Sequence, residues 1–384
     1  MRRVDEKGLH CLQEEVKKYL LKYLINEVYS AASLAVSTYR EKTFLDCYIS
    51  AGTAGPNDEH EVDQTTVFDL ASLTKPFVTL PSVLLLIDQG KISWDEPLES
   101  LLERSLADRF SKVDLQSLLC HNSGFSSHRN FWKSLKSMKD DQKKEWLLDC
   151  ILEEGLEYET GTGHLYSDVG YILLGYVVEK KSGVGLDHYW RDNVAEPAGV
   201  EETLFFPTQK KKNTYGGCWV QTGHCRWTTR PLIGLVHDDN CRALGGVAGH
   251  AGLFGTSEGV LKLCKEYLNT YHHRKSELPI SVETFKRAFN KVGDSEWSCG
   301  FNLPSPSGSS SGNYFSKKSR GHLGFTGVSF WIDVDKQVVV SLLTNRVRKG
   351  DDMRGIKEAR PALHDLVVCC LEGKKNPPAE PGDS

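Results

Sequence analysis

Ser72-Leu73-Thr74-Lys75-Pro76 sets a hydroxyl and an amine one helical turn apart, where the two side chains share a face. Proline is tolerated in the first turn of a helix and costly inside one, so Pro76 places the start of the helix that carries Lys75 close to Ser72. The Ser72 hydroxyl and N–H then stand at a helix N-terminus, where partial positive charge favours a developing anion. A serine beside an amine in that setting is a candidate activated nucleophile. Ser-x-x-Lys also arises by chance at solvated helix starts, so the assignment depends on what the rest of the chain brings to it.

Ahead of this segment, Leu12, Val16, Leu20, Leu24 and Val28 recur at helical spacing, which predicts an amphipathic helix over 9–29. Residues 32–39 and 43–50 are runs of β-formers separated by charge and read as a hairpin, followed by a turn-rich tract over 52–63. Behind it, the apolar run 78–87 contains Pro81 and is too short to span a bilayer. From 98 to 268 the pattern is mainly helical, with clear runs at 143–153, 169–181 and 259–271. Strand signals return at 298–303, 327–334 and 337–344, close enough in sequence to be antiparallel. A last helix over 360–371 precedes a tail, 374–384, rich in Pro and charge and expected to be disordered. The reading is an α/β chain of α+β type. Residues 1–90 and 255–373 form an antiparallel sheet flanked by helices, interrupted by a mainly helical domain over 91–254.

The 384 residues are 39% hydrophobic and 26% charged, with 47 basic against 51 acidic side chains and a net charge of -4. This is ordinary globular composition and implies neither a nucleic acid nor a membrane as partner. Lys210-Lys211-Lys212 and His272-His273-Arg274-Lys275 read as solvated basic runs. The 11 cysteines include no Cys-x-x-Cys pair, and the adjacent Cys369 and Cys370 suit neither zinc nor an ordinary disulfide. Many free thiols point to a reducing compartment. Asp5, Glu6 and Lys7 stand where a signal peptide needs an apolar run, so the expected location is cytoplasmic.

Two further constellations accompany Ser72. Tyr166-Ser167-Asp168 follows a loop with Gly161 and Gly163 and begins a helix. Asp168 reads structurally as its N-cap. Tyr166 has an ordinary pKa near ~10, too high for a base at neutral pH unless cations such as Lys75 favour the phenolate. His322-Leu323-Gly324-Phe325-Thr326-Gly327 opens a strand framed by small residues, where a substrate can approach the backbone. The Phe325 and Ser72 N–H groups would then form a pair of oxyanion donors. Gly308-Ser309-Ser310-Ser311-Gly312 formally matches Gly-x-Ser-x-Gly but lies between two β segments rather than between a strand and a helix, and reads as a flexible turn. His237-Asp238-Asp239 and His250 lack ligand spacing. No metal or other cofactor is expected, and His121 and Asn122 read as organisers of a turn.

Taken in order, Ser-x-x-Lys, Tyr-Ser-Asp and His-x-Gly resemble the active-site set of the serine β-lactamase and penicillin-binding protein superfamily, in its class C-like branch. Leu118-Leu119-Cys120-His121-Asn122-Ser123-Gly124-Phe125 is similar to that family's Leu-Leu-x-His-x-Ser-Gly segment, and the block from Leu244 to Phe254 to its Gly-rich block. The resemblance spans about 33–371. It implies a β-lactamase/transpeptidase-like fold and an acyl-enzyme on Ser72, with Lys75 and Tyr166 sharing the proton work. The oxyanion hole would be formed by Ser72 and Phe325, and Asp168, His322 and Gly324 would bind substrate. His322 would stand where many members carry the lysine of Lys-Thr-Gly and would keep Tyr166 hydrogen-bonded. Asp168 departs from the asparagine of β-lactamases of this branch. A carboxylate only accepts, which argues against efficient penicillin turnover. The implied substrate is a small peptide, derived from peptidoglycan or containing D-amino acids. A carboxylesterase is one alternative, and a catalytically silent ligand- or penicillin-binding protein is another.

Overall fold

The computed structural model describes residues 6–55, 58–207, 215–293, 295–350 and 352–374. Lys210 to Lys212 and the tail beyond Lys374 lie outside the described residues. An eight-stranded sheet runs in the order Asp58–Glu61, Thr43–Gly55, Ala31–Arg40, Val338–Thr344, Ser329–Asp333, Arg320–Leu323, Phe301–Asn302, Trp297–Ser298. Each neighbouring pair is antiparallel. The predicted hairpin closes through Glu41 and Lys42, whose φ angles of 49° and 65° give the two-residue turn that matches sheet twist. Ala31–Arg40 then pairs with Val338–Thr344, from Ala32 opposite Thr344 to Thr38 opposite Val338, so the sheet is completed only when both halves of the chain are present.

Alternation splits the side chains between two faces. Leu34, Val36, Val340 and Leu342 pack under Leu12, Val16, Leu363 and Val367 of the helices Glu6–Ile25 and Arg354–Glu372. Ala35, Phe330, Val339 and Leu343 belong to a second cluster with Val260 and Leu263 of the helix Ser257–Tyr271. That cluster continues through Leu84 and Leu118 to Leu173 and Trp190, so the region over 91–254 shares its core with the sheet. The expected strand over 298–303 divides at Cys299-Gly300 into two short strands. The loop over 308–312 is pinned rather than flexible: His364 Nδ1 bonds Ser310 O at 2.7 Å, and Asp365 accepts from Asn313 N at 2.6 Å.

The segment carrying Ser72 is an irregular rod. A 3₁₀ turn over Ala71–Leu73 leads to a wide π turn over Lys75–Thr79, and α geometry begins only at Leu80–Asp88. Ser72 therefore lies in the first turn, as expected, but not at the N-terminus of a regular α-helix. Two prolines account for the wide turn. In the π turn Leu80 N donates to Lys75 O, which leaves Pro76 O to accept from Tyr267 Oη at 2.7 Å. Pro81 has no N–H for Phe77 O, and Trp190 Nε1 supplies a donor at 2.7 Å instead. With its neighbours, the apolar run extends over Ala71–Asp88, 18 residues whose length and composition alone would suit a membrane, yet 83% of that window is buried inside the fold. It is the core rod of the molecule.

The Gly-rich block runs alongside this rod. Thr79 Oγ1 donates to Gly249 O, Leu253 N to Thr74 Oγ1 at 3.1 Å, and Leu70 N to Leu253 O at 3.0 Å. Gly249 also meets Gly175 of the helix Asp168–Ser182. A Cβ on Gly249 would fall 2.0 Å from Tyr171 O and 2.8 Å from Gly175 N, so a side chain there must separate the rod, the block and the helix. Gly249→Ala is expected to cost about 1–3 kcal/mol, the range for overpacking, measured as a fall in the denaturant midpoint at unchanged slope. An unshifted midpoint would contradict this packing.

Candidate active site

Asp69 shapes the approach to Ser72. Its Oδ1 accepts from Ala71 N at 2.8 Å and its Oδ2 from His237 N at 2.7 Å. Burial pushes its carboxyl up to about 6, against the lowering effect of those two backbone donors. Ala71 is held at φ 47°, a conformation uncommon for a residue with a Cβ, and Ser72 follows half-buried. Thr326 Oγ1 donates to Asp69 O at 2.8 Å, and a Cβ on Gly324 would fall 3.0 Å from Leu70 O. The edge of the Arg320–Leu323 strand is thereby drawn against the Ser72 turn. Gly324 serves this close approach. Phe325 follows with its ring 44% exposed.

Lys75 is fully buried. Its Nζ donates to Ser72 Oγ at 3.1 Å, Asp168 Oδ1 at 2.7 Å and His250 O at 3.1 Å. An ammonium has three donors, and all three are used. Asp168 is positioned by a cap, although it is not itself the cap. Ser167 Oγ accepts from Gly170 N at 2.9 Å and donates to Ser126 O at 2.7 Å, which makes Ser167 the N-cap of Asp168–Ser182. The sequence reading of Asp168 as N-cap is corrected here: a hydroxyl one residue earlier does the capping, and the carboxylate is free to reach Lys75.

Tyr166 lies with Lys75 Nζ 4.8 Å from its ring centroid. Its hydroxyl faces Lys75 and Ser72, yet has no hydrogen-bond partner. Burial raises its pKa, the Lys75 charge lowers it, the Asp168 carboxylate raises it again, and the net direction is up. Lys75 moves the same way. Burial works against its charge, but Asp168 and Tyr166 outweigh burial, and its pKa is raised. Asp168 is held well below the ordinary carboxylate range: burial opposes its charge, but Lys75 and a hydrogen bond from His128 prevail. The resting site is thus an ammonium, a carboxylate and a neutral phenol. The phenolate that a cation beside Tyr166 would favour is not the resting form, because burial raises the phenol's pKa more than the Lys75 charge lowers it, and Asp168 adds to the rise.

His322 is 1% exposed. Its Nδ1 donates to Leu323 O at 2.8 Å, its Nε2 has no partner, and burial pushes its pKa down to about 3. Its ring centroid is 5.8 Å from that of Tyr166. The expected His322–Tyr166 hydrogen bond is absent, and this neutral ring does not replace a lysine's charge.

The structure adds His128, which the sequence did not single out, and gives Asp238, read in the sequence only as part of a group without ligand spacing, a place in the cleft. His128 Nδ1 lies 3.5 Å from Asp168 Oδ2, and that hydrogen bond raises its pKa. Asp238 caps Asp239–Ala243 through Cys241 N at 2.7 Å and bonds His250 Nε2 at 2.9 Å. Both line a cleft of about 440 Å³ with Ser72, Tyr166, Asp168 and Phe325. Spacing could not reveal these contacts, which come from loops far apart in sequence. By placement, His128, Asp168 and Asp238 could hold a metal ion, their ligand atoms all within 4.8 Å of one another. Lys75 already takes one oxygen of Asp168, and His250 one of Asp238.

A family model described as Beta-lactamase matches residues 27–363. The chain is 31% identical over 313 residues to the N-acetylmuramyl-L-alanine amidase of Bacillus subtilis, covering 73% of this chain and 68% of that protein. It is 29% identical over 305 residues to a putative D-alanyl-D-alanine carboxypeptidase of Escherichia coli, covering 73% and 69%. Among solved structures, the octameric penicillin-binding protein homologue from Pyrococcus abyssi superposes with a TM-score of 0.73 at 19% identity, over 96% of this chain and 78% of that one.

The buried imidazoles set a sign for stability against pH. Burial lowers the folded-state pKa of His121, His322 and His364. The unfolded chain therefore binds protons that the folded one refuses, and their contribution is complete above the unfolded value near ~6.5 and lost as pH falls below it. Each histidine removes about 1.4 kcal/mol per pH unit in that window. Asp69 and His128, whose pKa values are raised, offset part of the loss. Denaturant unfolding should show lower stability at about pH 5 than at about pH 7, by roughly 2–4 kcal/mol; equal stability would show that these rings are not held neutral.

Proposed function

The chain belongs to the Beta-lactamase family and is a serine hydrolase, and from that premise we propose that it cleaves a small amide in a peptidoglycan-derived or D-amino-acid-containing peptide through an acyl-enzyme on Ser72. The observation that carries the reading is the placement of Lys75 Nζ, 3.1 Å from Ser72 Oγ and 2.7 Å from Asp168 Oδ1. Ser72 Oγ attacks the carbonyl carbon and its proton passes to the Tyr166–Lys75 pair. The oxyanion is received by the Ser72 and Phe325 N–H groups. As the carbon–nitrogen bond breaks, that proton returns to the leaving amine. Water then attacks the ester and frees Ser72 by the same steps. Asp168 and Asp238 give the cleft acceptor-only carboxylates, which favour substrate N–H groups over carbonyls or carboxylates. The names of the Bacillus subtilis and Escherichia coli relatives support amide bonds of this kind. Every cysteine with a described side chain is a free thiol, which supports the cytoplasmic location that we also propose.

Ser72→Ala is expected to lower turnover by on the order of 10³-fold or more. The panel comprises a muramoyl-L-alanine amide, a D-Ala-D-Ala peptide, short p-nitrophenyl esters and nitrocefin, with the amides preferred. Turnover of the esters alone would overturn the substrate assignment, and Ser72-independent turnover would overturn the nucleophile.

Both acceptors for the Ser72 proton, phenolate and free amine, are minority forms at neutral pH because the pKa values of Tyr166 and Lys75 are raised. Acylation should therefore accelerate with pH through the neutral and alkaline range. Asp168→Asn removes the charge that raises both, moves this limb to lower pH, and adds an amide donor for a drug carbonyl. Stopped-flow acylation by a fluorescent penicillin should be faster in that variant; an unmoved limb with unchanged acylation would refute the assigned role of Asp168.

A further inference from the structure

We infer that His121 is a positioning residue for the catalytic Tyr166, clamping the backbone on both sides of it; this rests on the active-site reading proposed above. The histidine belongs to a turn some 45 residues upstream of the tyrosine and touches neither Ser72 nor Lys75 through any recorded hydrogen bond. Its carbonyl oxygen accepts from Leu165 N at 2.9 Å, and its ring Nδ1 accepts from Ser167 N at 3.0 Å. The residues on either side of Tyr166 are thus both tied through their N–H groups to one residue. Between these anchors the imidazole lies against the Tyr166 ring, centroids 4.7 Å apart, and against Tyr171 at 5.1 Å, with Trp297 edge-on at 5.7 Å.

The clamp has two requirements. The His121 backbone must hold φ at 59°, which aims carbonyl and ring toward the same strand of chain. The ring must also be neutral with its proton on Nε2, because a backbone N–H can only donate and Nδ1 must offer a lone pair. The surroundings keep the ring neutral: His121 is 1% exposed, and burial together with the Lys75 charge pushes its pKa well down, while the Ser167 N–H on Nδ1 fixes the proton on Nε2, which meets no acceptor among the described residues. The next residue pair continues the anchoring. Ser167 Oγ donates to Ser126 O at 2.7 Å and Asp168 N to Ser127 O at 2.8 Å. The Tyr166–Asp168 segment is therefore held by the 121–127 turn, with His121 responsible for the tyrosine.

Two substitutions separate the ring from the acceptor. His121→Phe keeps a planar ring and removes the lone pair. His121→Asn removes the ring, sets an amide oxygen close to the place of Nδ1 and tolerates positive φ. For His121→Phe the expectation is a kcat lower by on the order of 10²-fold with KM little changed, and loss of hydrogen-exchange protection at the Ser167 amide. His121→Asn should recover at least about tenfold of that kcat and keep the amide protected. Equal loss in both variants, in step with their melting temperatures, would reduce His121 to a structural residue and overturn the inference. So would a protected Ser167 amide in His121→Phe. If the wild-type protein showed no Ser72-dependent hydrolysis, the proposed function would fall, while the amide exchange would still decide whether His121 clamps this segment.

Discussion

A buried ammonium organises this molecule. Lys75 has no exposed surface, and an unpaired charge in that position would cost several kcal/mol or more. It is tolerated because its three donors meet three acceptors from separate parts of the chain: Ser72 of the rod, Asp168 at the start of a helix, and the His250 carbonyl of the Gly-rich block. None of these segments can move away without leaving a buried donor unsatisfied. The irregular rod serves the same end. Its wide turn would strand two carbonyls, and Tyr267 and Trp190 supply the missing donors. The backbone geometry at Ser72 is thus upheld by core aromatic residues far from the cleft.

The sheet was largely legible in the sequence because it rests on local patterns. The runs 32–39 and 43–50 are rich in β-formers on either side of a charged turn, and the strands near the C-terminus are close in sequence, so hairpin and antiparallel pairing follow from composition and spacing. The contact between Ser72 and Lys75 follows from their spacing, whereas Tyr166 was named through the family resemblance and is brought to them by the fold. The electrostatic state of the site was not. Whether Tyr166 rests as phenol or phenolate depends on the balance between burial, Lys75 and Asp168, and a string of letters holds no burial. The N-cap at Ser167 was hidden because Ser167 and Asp168 are both good caps, and only the pull of Lys75 decides which of them turns inward. His128 escaped and Asp238 was read only as structural for a different reason: each acquires its place in the cleft from a loop contact with no periodic signature.

Asp168, which departs from the asparagine of the β-lactamases, and His322, which stands where many members carry a lysine, act in the same direction. A lysine at the position of His322 would set a second cation close to Tyr166, and an asparagine at the position of Asp168 would leave Lys75 uncancelled. Here the imidazole is buried and neutral, with its pKa near 3, and the carboxylate pairs with Lys75. Both changes favour the phenol over the phenolate. They also remove positive charge from the place where a substrate carboxylate would need it. The two effects have one electrostatic origin, the charge balance around Lys75.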